Sequence, residues 1–384
     1  MPNHAKTVRR ATGGPPGVEA PRRVHHARRA RRGVGAMPVA VLATAAVTIG
    51  AGLVLAAGGR PSPGLAPSRP PLGGASTARG APVENGAAGP LAGRALYVDP
   101  TGAAAEQARA WDSAGRTTDA AVIRRIANRP VATWFADGSP GFQARARKLV
   151  ADARRTGKLP VLTLYYIPHR DCFGQSAGGA RDGSAYRRWV SSLAAALRGH
   201  SAIVVLEPDA VAQAVQGCLG AAAVAERYAL LGHAVDALRA IPDVFVYLDA
   251  GNPSWIRDPV KMAAALRRAG AARTHGFALN VANFETTADN VRYGAALSRL
   301  LGGARFVVDT SRNGNGPAQV GAGYRHWCNP PGRKLGRAPT TRTGTGLVDA
   351  YLWIKRPGES DGACGHGAPP AGQWWPEYAL ELAR

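Results

Sequence analysis

The feature that most constrains this chain is a recurring unit. A short apolar run ends in an acidic or amide residue and gives way to an Ala/Leu/Arg-rich stretch of helical spacing. The clearest copy is AIVVLEPDA (202–210). Ile203, Val204, Val205 and Leu206 are consecutive rather than alternating, the pattern of a parallel strand buried on both faces, and Pro208 ends the ladder by removing a donor. Asp209 therefore falls just past the carboxyl end of a buried strand, the edge at which parallel α/β sheets and barrels bind ligands. The competing reading is a helix N-cap, because Asp caps well and the Ala-rich stretch that follows suits a helix.

Six further runs have strand character: 131–135, 161–166, 244–248, 277–281, 306–308 and 350–354, with a short extended piece at 96–98 ahead of them. Helical spacing lies between them at 143–155, 186–197, 221–240, 260–269 and 288–301. This alternation predicts one α/β domain over 94–384, a parallel barrel or a doubly wound sheet. The run endings supply Asp171, Asp209, Asp249, Asn280 with Asn283, Asp309, and finally Lys355, Glu359 and Asp361. Parallel strands put such endings on one face, so these groups are expected in a single cleft.

Residues 37–58 carry no charge and follow Arg28, Arg29, Arg31 and Arg32, so the positive-inside rule sends the rest of the chain outward. We read 37–59 as a signal peptide or a signal-anchor helix. The run exceeds the usual signal-peptide core, while Ala56 and Ala57 suit cleavage. Residues 60–93, rich in Pro, Gly, Ala and Ser, read as a linker. Residues 1–36 form a basic segment with nine Lys or Arg against Glu19, which is +8 of the chain's +23 and leaves +15 for the rest. That remainder shows no dense basic run or aromatic-interleaved patch, so it reads as a solvated surface and not as a nucleic-acid site.

Cys172, Cys218, Cys328 and Cys364 all fall in the exported part. An even count in an oxidising compartment favours two disulfides, with every pairing open. Their spacings fit no zinc pattern, so no metal and no cofactor is expected.

A metal-free cleft lined by carboxylates, amides and aromatics suits glycosidic bond hydrolysis. One carboxylic acid protonates the departing oxygen while another carboxylate assists water or attacks. Trp134, Tyr165, Trp255, Trp327 and Trp353 lie in or just after strand runs. Each could serve the core instead, but Trp255 and Trp327 sit among turn residues (GNPSW and HWCNPPG) and lean towards a sugar face. A phosphate-binding loop after the first strand and a serine-nucleophile elbow are both absent.

The ordered set YYIPHRDC (165–172), SAGGARDG (176–183), VVLEPDA (204–210), VYLDAG (246–251), GFALNVANF (276–284), VVDTSRNGNG (307–316), WCNPPGRKLG (327–336) and DAYLWIKRPGESDG (349–362) closely resembles glycoside hydrolase family 6. These are the inverting β-1,4-glucanases. The resemblance implies a distorted seven-stranded parallel α/β barrel acting on a β-1,4-glucan, and a sequential pairing of the cysteines, 172 with 218 and 328 with 364. It casts Asp209 as the general acid and Asp171 as the aspartate that raises the acid's pKa and organises the attacking water. Asp361 matches the family's proposed base, and Asp249 a fourth active-site aspartate. Trp134, Tyr165, Trp255, Asn280, Asn283, Trp327, Arg333, Lys355 and Glu359 match substrate-binding positions. Three departures stand out: Asn252-Pro253 where the family usually has His, Ala282 in place of Ser, and Tyr166 in place of Asn. The short segments 309–328 and 328–361 leave little chain to roof the cleft, so an endoglucanase is expected, and a monomer. A cellobiohydrolase and a non-catalytic glucan-binding wall protein are the alternatives.

Overall fold

The computed structural model describes residues 88–319, 325–365 and 367–384. The basic segment, the apolar stretch 37–59 and most of the linker lie outside the described residues. Among those described, no helix is long and apolar enough to cross a membrane.

Seven strands form one sheet: β1 (Thr133–Phe135), β2 (Val161–Leu164), β3 (Ala202–Leu206), β4 (Val244–Asp249), β5 (Gly276–Leu279), β6 (Arg305–Asp309) and β7 (Val348–Leu352). Each pairs in parallel with the next in chain order. Helices α1 (Ala103–Ser113) and α2 (Thr117–Ala127) precede β1, and α3 (Phe142–Arg155) and α4 (Gly183–Leu197) flank β2. Then come α5 (Ala210–Gln216) and α6 (Ala221–Arg239) after β3, α7 (Pro259–Arg268), α8 (Thr287–Leu300) and the closing α9 (Pro376–Ala383).

The consecutive apolar runs divide by parity. Ile203, Val205, Tyr247, Ala278, Val307 and Ala350 pack together in one buried cluster, while Leu162, Val204, Leu206, Val246, Leu248 and Phe306 join the helices in another. A strand with two dry faces needs apolar residues at both parities, which is why no alternation shows in the sequence. Leu91 is fully buried in the first of these clusters, so the fold takes hold just ahead of Arg94. Gly294 on α8 lets that helix approach β6, since a Cβ there would overlap the Phe306 ring.

The barrel is distorted at its seam. Among the described residues, β7 and β1 share no ladder. They meet through one backbone bond from Ala132 N to Trp353 O (2.9 Å) and through the Trp134 indole, whose Nε1 donates to Ile354 O at 2.7 Å. Trp353 packs with Trp111, Ile123, Ile126 and Leu380 of α1, α2 and α9, so of the candidate aromatics it is a core residue. Helices α1 and α2 are not among the stretches of helical spacing because they precede the β-unit series, whereas α5 is the Ala-rich stretch after Asp209 that suits a helix.

Asp309, at the end of β6, is not available to a ligand. Its carboxylate is fully buried and accepts four backbone amides: Ser311 N (2.9 Å), Ile354 N (3.2 Å), Ala282 N (3.0 Å) and Lys355 N (2.9 Å). It thereby stitches the segments after β5, β6 and β7 to one another. Asp309→Ala orphans four buried donors and is expected to cost about 3–5 kcal/mol. Asp309→Asn, which keeps one acceptor oxygen, should cost less in urea unfolding.

Candidate active site

Asp209 stands at the N-cap position of α5, yet its side chain makes no capping bond. The carboxyl instead receives the Tyr165 hydroxyl, Oη to Oδ2 at 3.1 Å. A left-handed backbone at Asp209 (φ 71°) turns it away from the helix end. This separates the two sequence readings, because the group that could cap is held for something else.

Behind Asp209 lies Asp249, 1% exposed at the end of β4, whose Oδ2 accepts Asp209 N (2.9 Å) and Gly251 N (3.1 Å). Its other oxygen is buried with no hydrogen-bond partner among the described residues. Burial, reinforced by the like charge of Asp171, pushes Asp209 up to about 7. Burial, then the Asp209 charge, pushes Asp249 up to about 8. Asp171 is itself raised by burial, against a bond from Ser176 N (2.6 Å). Crowded carboxylates in a dry place cannot all ionise, so the cluster holds protons near neutral pH.

Asp361 has the opposite environment. Burial alone would raise it, but Arg312 Nη1 (2.8 Å to Oδ2) and Lys355 Nζ (3.2 Å to Oδ1) outweigh that and hold it below the usual carboxylate range. Asn329 N adds a bond at 3.0 Å. Lys355 also acts electrostatically on Asp209. The four aspartates singled out in the sequence therefore share one rim: Asp171 and Asp249 act on Asp209, and Lys355 joins Asp209 to Asp361.

The loops that carry these groups are strained. The non-glycine residues with positive φ among the described residues are His169, Asp171, Cys172, Glu207, Asp209, Asn280, Ala282 and Asn329. The first seven follow β2, β3 or β5, and Asn329 bonds Asp361. Each such conformation costs on the order of 1–3 kcal/mol, so the surroundings must enforce it. Several buried contacts do so. Glu207 takes the Tyr166 amide (3.0 Å) and the Ile167 amide (3.1 Å), and Arg170 donates to Ala136 O (2.8 Å), Tyr165 O (2.6 Å) and Ser176 O (2.7 Å). Disulfides join Cys172 to Cys218 and Cys328 to Cys364, the sequential pairing that the family resemblance implies. One anchors the residue after Asp171, the other the segment after Asp361. Burial pushes Glu207 up to about 7. Nothing in the sequence reading had given Glu207 this bracing work, although its place before Pro208 at a strand end was a signal.

The remaining candidates fall into two groups. Trp134, half-buried, meets Tyr165 edge to face at 5.4 Å. Trp255 is held by Gln216 (Nε1 to Oε1, 3.1 Å) and by its own amide on Asn252 Oδ1 (3.0 Å). Asn252 thus caps the turn that presents this indole. Trp327 is half-buried beside Cys328 and under the Arg325 guanidinium. Asn283 is half-buried with a side chain that bonds nothing in the described residues. These can face a ligand.

Asn280, by contrast, has no exposed surface. Its amide donates to Asp309 O (2.9 Å) and Glu285 O (3.2 Å) and accepts Glu285 N (3.1 Å), which makes it a loop brace. Arg333 ties Gly316 O (2.6 Å) to its own loop. Glu359 pairs with Arg356 at 2.8 Å beside Lys355. Among the described residues, no group of three or more His, Cys, Asp or Glu could hold a metal ion.

Residues 91–384 match the model of glycosyl hydrolases family 6. The chain belongs to that family. It is 45% identical over 296 residues to endoglucanase A of Cellulomonas fimi, covering 75% of this chain and 61% of that protein. It is 44% identical over 297 residues to endoglucanase 1 of Streptomyces halstedii, covering 75% of this chain and 88% of that one. Among solved structures, the endoglucanase Cel6 of Mycobacterium tuberculosis, in complex with a methyl-cellobiosyl-4-deoxy-4-thio-β-D-cellobioside, superposes with a TM-score of 0.72 at 44% identity. That match covers 77% of this chain and 98% of the other. The seven-stranded parallel barrel is this family's fold.

The raised carboxyls make stability pH-dependent with a defined sign. Folded values of about 7 for Asp209 and Glu207 and about 8 for Asp249 lie above the ordinary 3.8 to 4.5. Their contribution is complete below the ordinary range and is lost as pH rises through 7 to 8. The thermal midpoint should therefore fall between pH 5 and 8. Asp249→Asn, which keeps the oxygen that Asp209 N and Gly251 N require, should flatten that slope in calorimetry.

Proposed function

We propose that this chain is an endo-β-1,4-glucanase that cleaves internal bonds of cellulose or a related soluble β-glucan with inversion at the anomeric carbon. The observation that carries the reading is the Asp209 carboxyl, which makes no capping bond, accepts the Tyr165 hydroxyl and is pushed by burial and the charge of Asp171 up to about 7. In this reading Asp209 gives its proton to the glycosidic oxygen as the bond to the anomeric carbon breaks. Water attacks from the opposite face and its proton passes towards Asp171. Between Asp171 and Asp361, Asp171 is the stronger base, because burial raises it while two cations depress Asp361. Asp361, ionised throughout, opposes the positive charge that develops on the ring. Trp134, Trp255 and Trp327 supply faces for glucosyl units, whereas Tyr165, buried under the Arg170 guanidinium, serves through its hydroxyl on Asp209.

The named relatives at 44–45% identity are endoglucanases, which agrees with the short chain between Asp309 and Asp361. We place the enzyme outside the cytoplasm as a monomer, either released or anchored through residues 37–58. The two disulfides support an oxidising compartment.

Asp209→Asn should lower release of reducing ends from carboxymethyl cellulose by roughly 10²–10⁴-fold, while substrate still binds. Binding with no release by the native chain would instead favour a glucan-binding wall protein. Viscosity should fall well before cellobiose accumulates, whereas a cellobiohydrolase would give the reverse order. Azide should restore turnover to Asp171→Ala and not to Asp361→Ala; rescue of the second alone would make Asp361 the base. Reduction of the disulfides should lower activity before the thermal midpoint moves.

A further inference from the structure

The segments that carry Asp171 and Asp209 come from different βα units, and the disulfide Cys172–Cys218 joins them on one side only. A second tie comes from α6, a helix that carries none of the candidate site residues. The Arg227 side chain, 2% exposed, reaches between the two segments. Nη2 donates to His169 O (2.7 Å) and Pro168 O (3.2 Å) on the Asp171 side. Nη1 donates to Ala210 O (3.2 Å) and to Gln213 Oε1 (3.2 Å) on the Asp209 side. Its Nε is buried without a partner, and among the described residues no carboxylate forms an ion pair with it.

A buried guanidinium with no counter-ion is costly unless carbonyl dipoles solvate it. Here those dipoles belong to the residues next to both aspartates. His169 has a left-handed backbone (φ 54°), and so do Asp171 (φ 58°) and Asp209 (φ 71°). The fork of Arg227 fixes carbonyls that such backbones would otherwise release. Resting on the roles proposed above, we infer that Arg227 is a positioning residue: it clamps the Asp171 loop to the start of α5 and so sets how the acid and its neighbouring aspartate face each other.

The clamp is charged, which gives it a readout that mere packing lacks. The groups acting on Asp209 are Asp171, Tyr165, Arg227 and Lys355, with Asp249 coupled to it from behind; Arg227, the cation on the α6 side, is itself faced by Glu207, Tyr165, Asp209 and its helix neighbour Tyr228. Arg227 and Lys355 both favour the ionised acid. Removing Arg227 should raise the pH at which the acid loses its proton.

The experiment is a pH–rate profile on carboxymethyl cellulose for four proteins: native, Arg227→Met, Arg227→Lys and Asp209→Asn. Arg227→Met should lower kcat by about 10- to 100-fold with KM changed less than about 3-fold, because the aromatic faces are untouched. Its basic limb should move up by about half a pH unit or more. Arg227→Lys, which keeps the cation and fewer donors, should return the limb to its native position and recover part of kcat. Native kcat and limb in Arg227→Met, with turnover lost in Asp209→Asn, overturns this inference alone. A basic limb retained in Asp209→Asn overturns the acid assignment as well. Should Arg227→Met fail to fold, Arg227→Lys and Gln213→Leu decide: both should lose kcat at an unmoved limb, and native kcat in both overturns the clamp.

Discussion

Everything at the functional rim follows from holding Asp171, Asp209 and Asp249 within electrostatic reach of one another where little water enters. Asp249 is almost wholly buried and Asp209 bonds it through its own amide. Such a group of carboxyls is stable only with protons on some members, and which member holds them is decided by the remaining contacts. Asp249 receives two backbone amides and no cation. Asp209 receives a phenol and the distant influence of Arg227 and Lys355. In the proposed reading the site thereby keeps a transferable proton on the partly exposed Asp209, with the buried Asp249 behind it as a neutral support.

That arrangement opposes stability, and the fold offsets it elsewhere. Strands with two dry faces give the barrel a large apolar interior, so a rim of left-handed backbones, each costing about 1–3 kcal/mol, can be tolerated. The buried polar side chains at the rim then act less as glue than as specification. Asp309 collects amides from three strand ends, Glu207 collects two from the Asp171 loop, and Asn280 closes its own turn. Each removes an alternative that the strained loops would otherwise adopt.

The strands and their shared rim were legible because period and polarity coincide there: an apolar run with two buried faces has to stop where a carboxylate begins. Asp171, Asp209, Asp249 and Asp361 could be named for that reason. What the sequence does not show is which polar residues turn inward. Asn280 and Asn283 lie three positions apart in the same turn, yet one is sealed among carbonyls and the other is half open. Arg227 sits in an Ala/Leu-rich helix where arginine ordinarily faces solvent. Its burial depends on carbonyls from two other βα units, a coincidence in space with no trace in local pattern. The seam is invisible for the same reason, since an indole bond takes the place of a ladder.

Asp209 and Asp361 differ in the contacts that set their charge. Both are aspartates on the same rim and both are largely buried, yet one is raised and the other depressed. The difference is contact with cations: Arg312 and Lys355 touch Asp361 directly, while Lys355 reaches Asp209 only through space. A carboxylate neutralised twice over is a poor proton acceptor, but it remains negative whatever the state of its neighbours. Under the roles proposed above, that constancy suits Asp361 to facing the positive charge that develops on a sugar ring as Asp209 gives up its proton. In that proposed reading inversion needs only a water on the far face and a carboxylate more basic than Asp361 to receive its proton, and burial, which raises Asp171, suits it to that part.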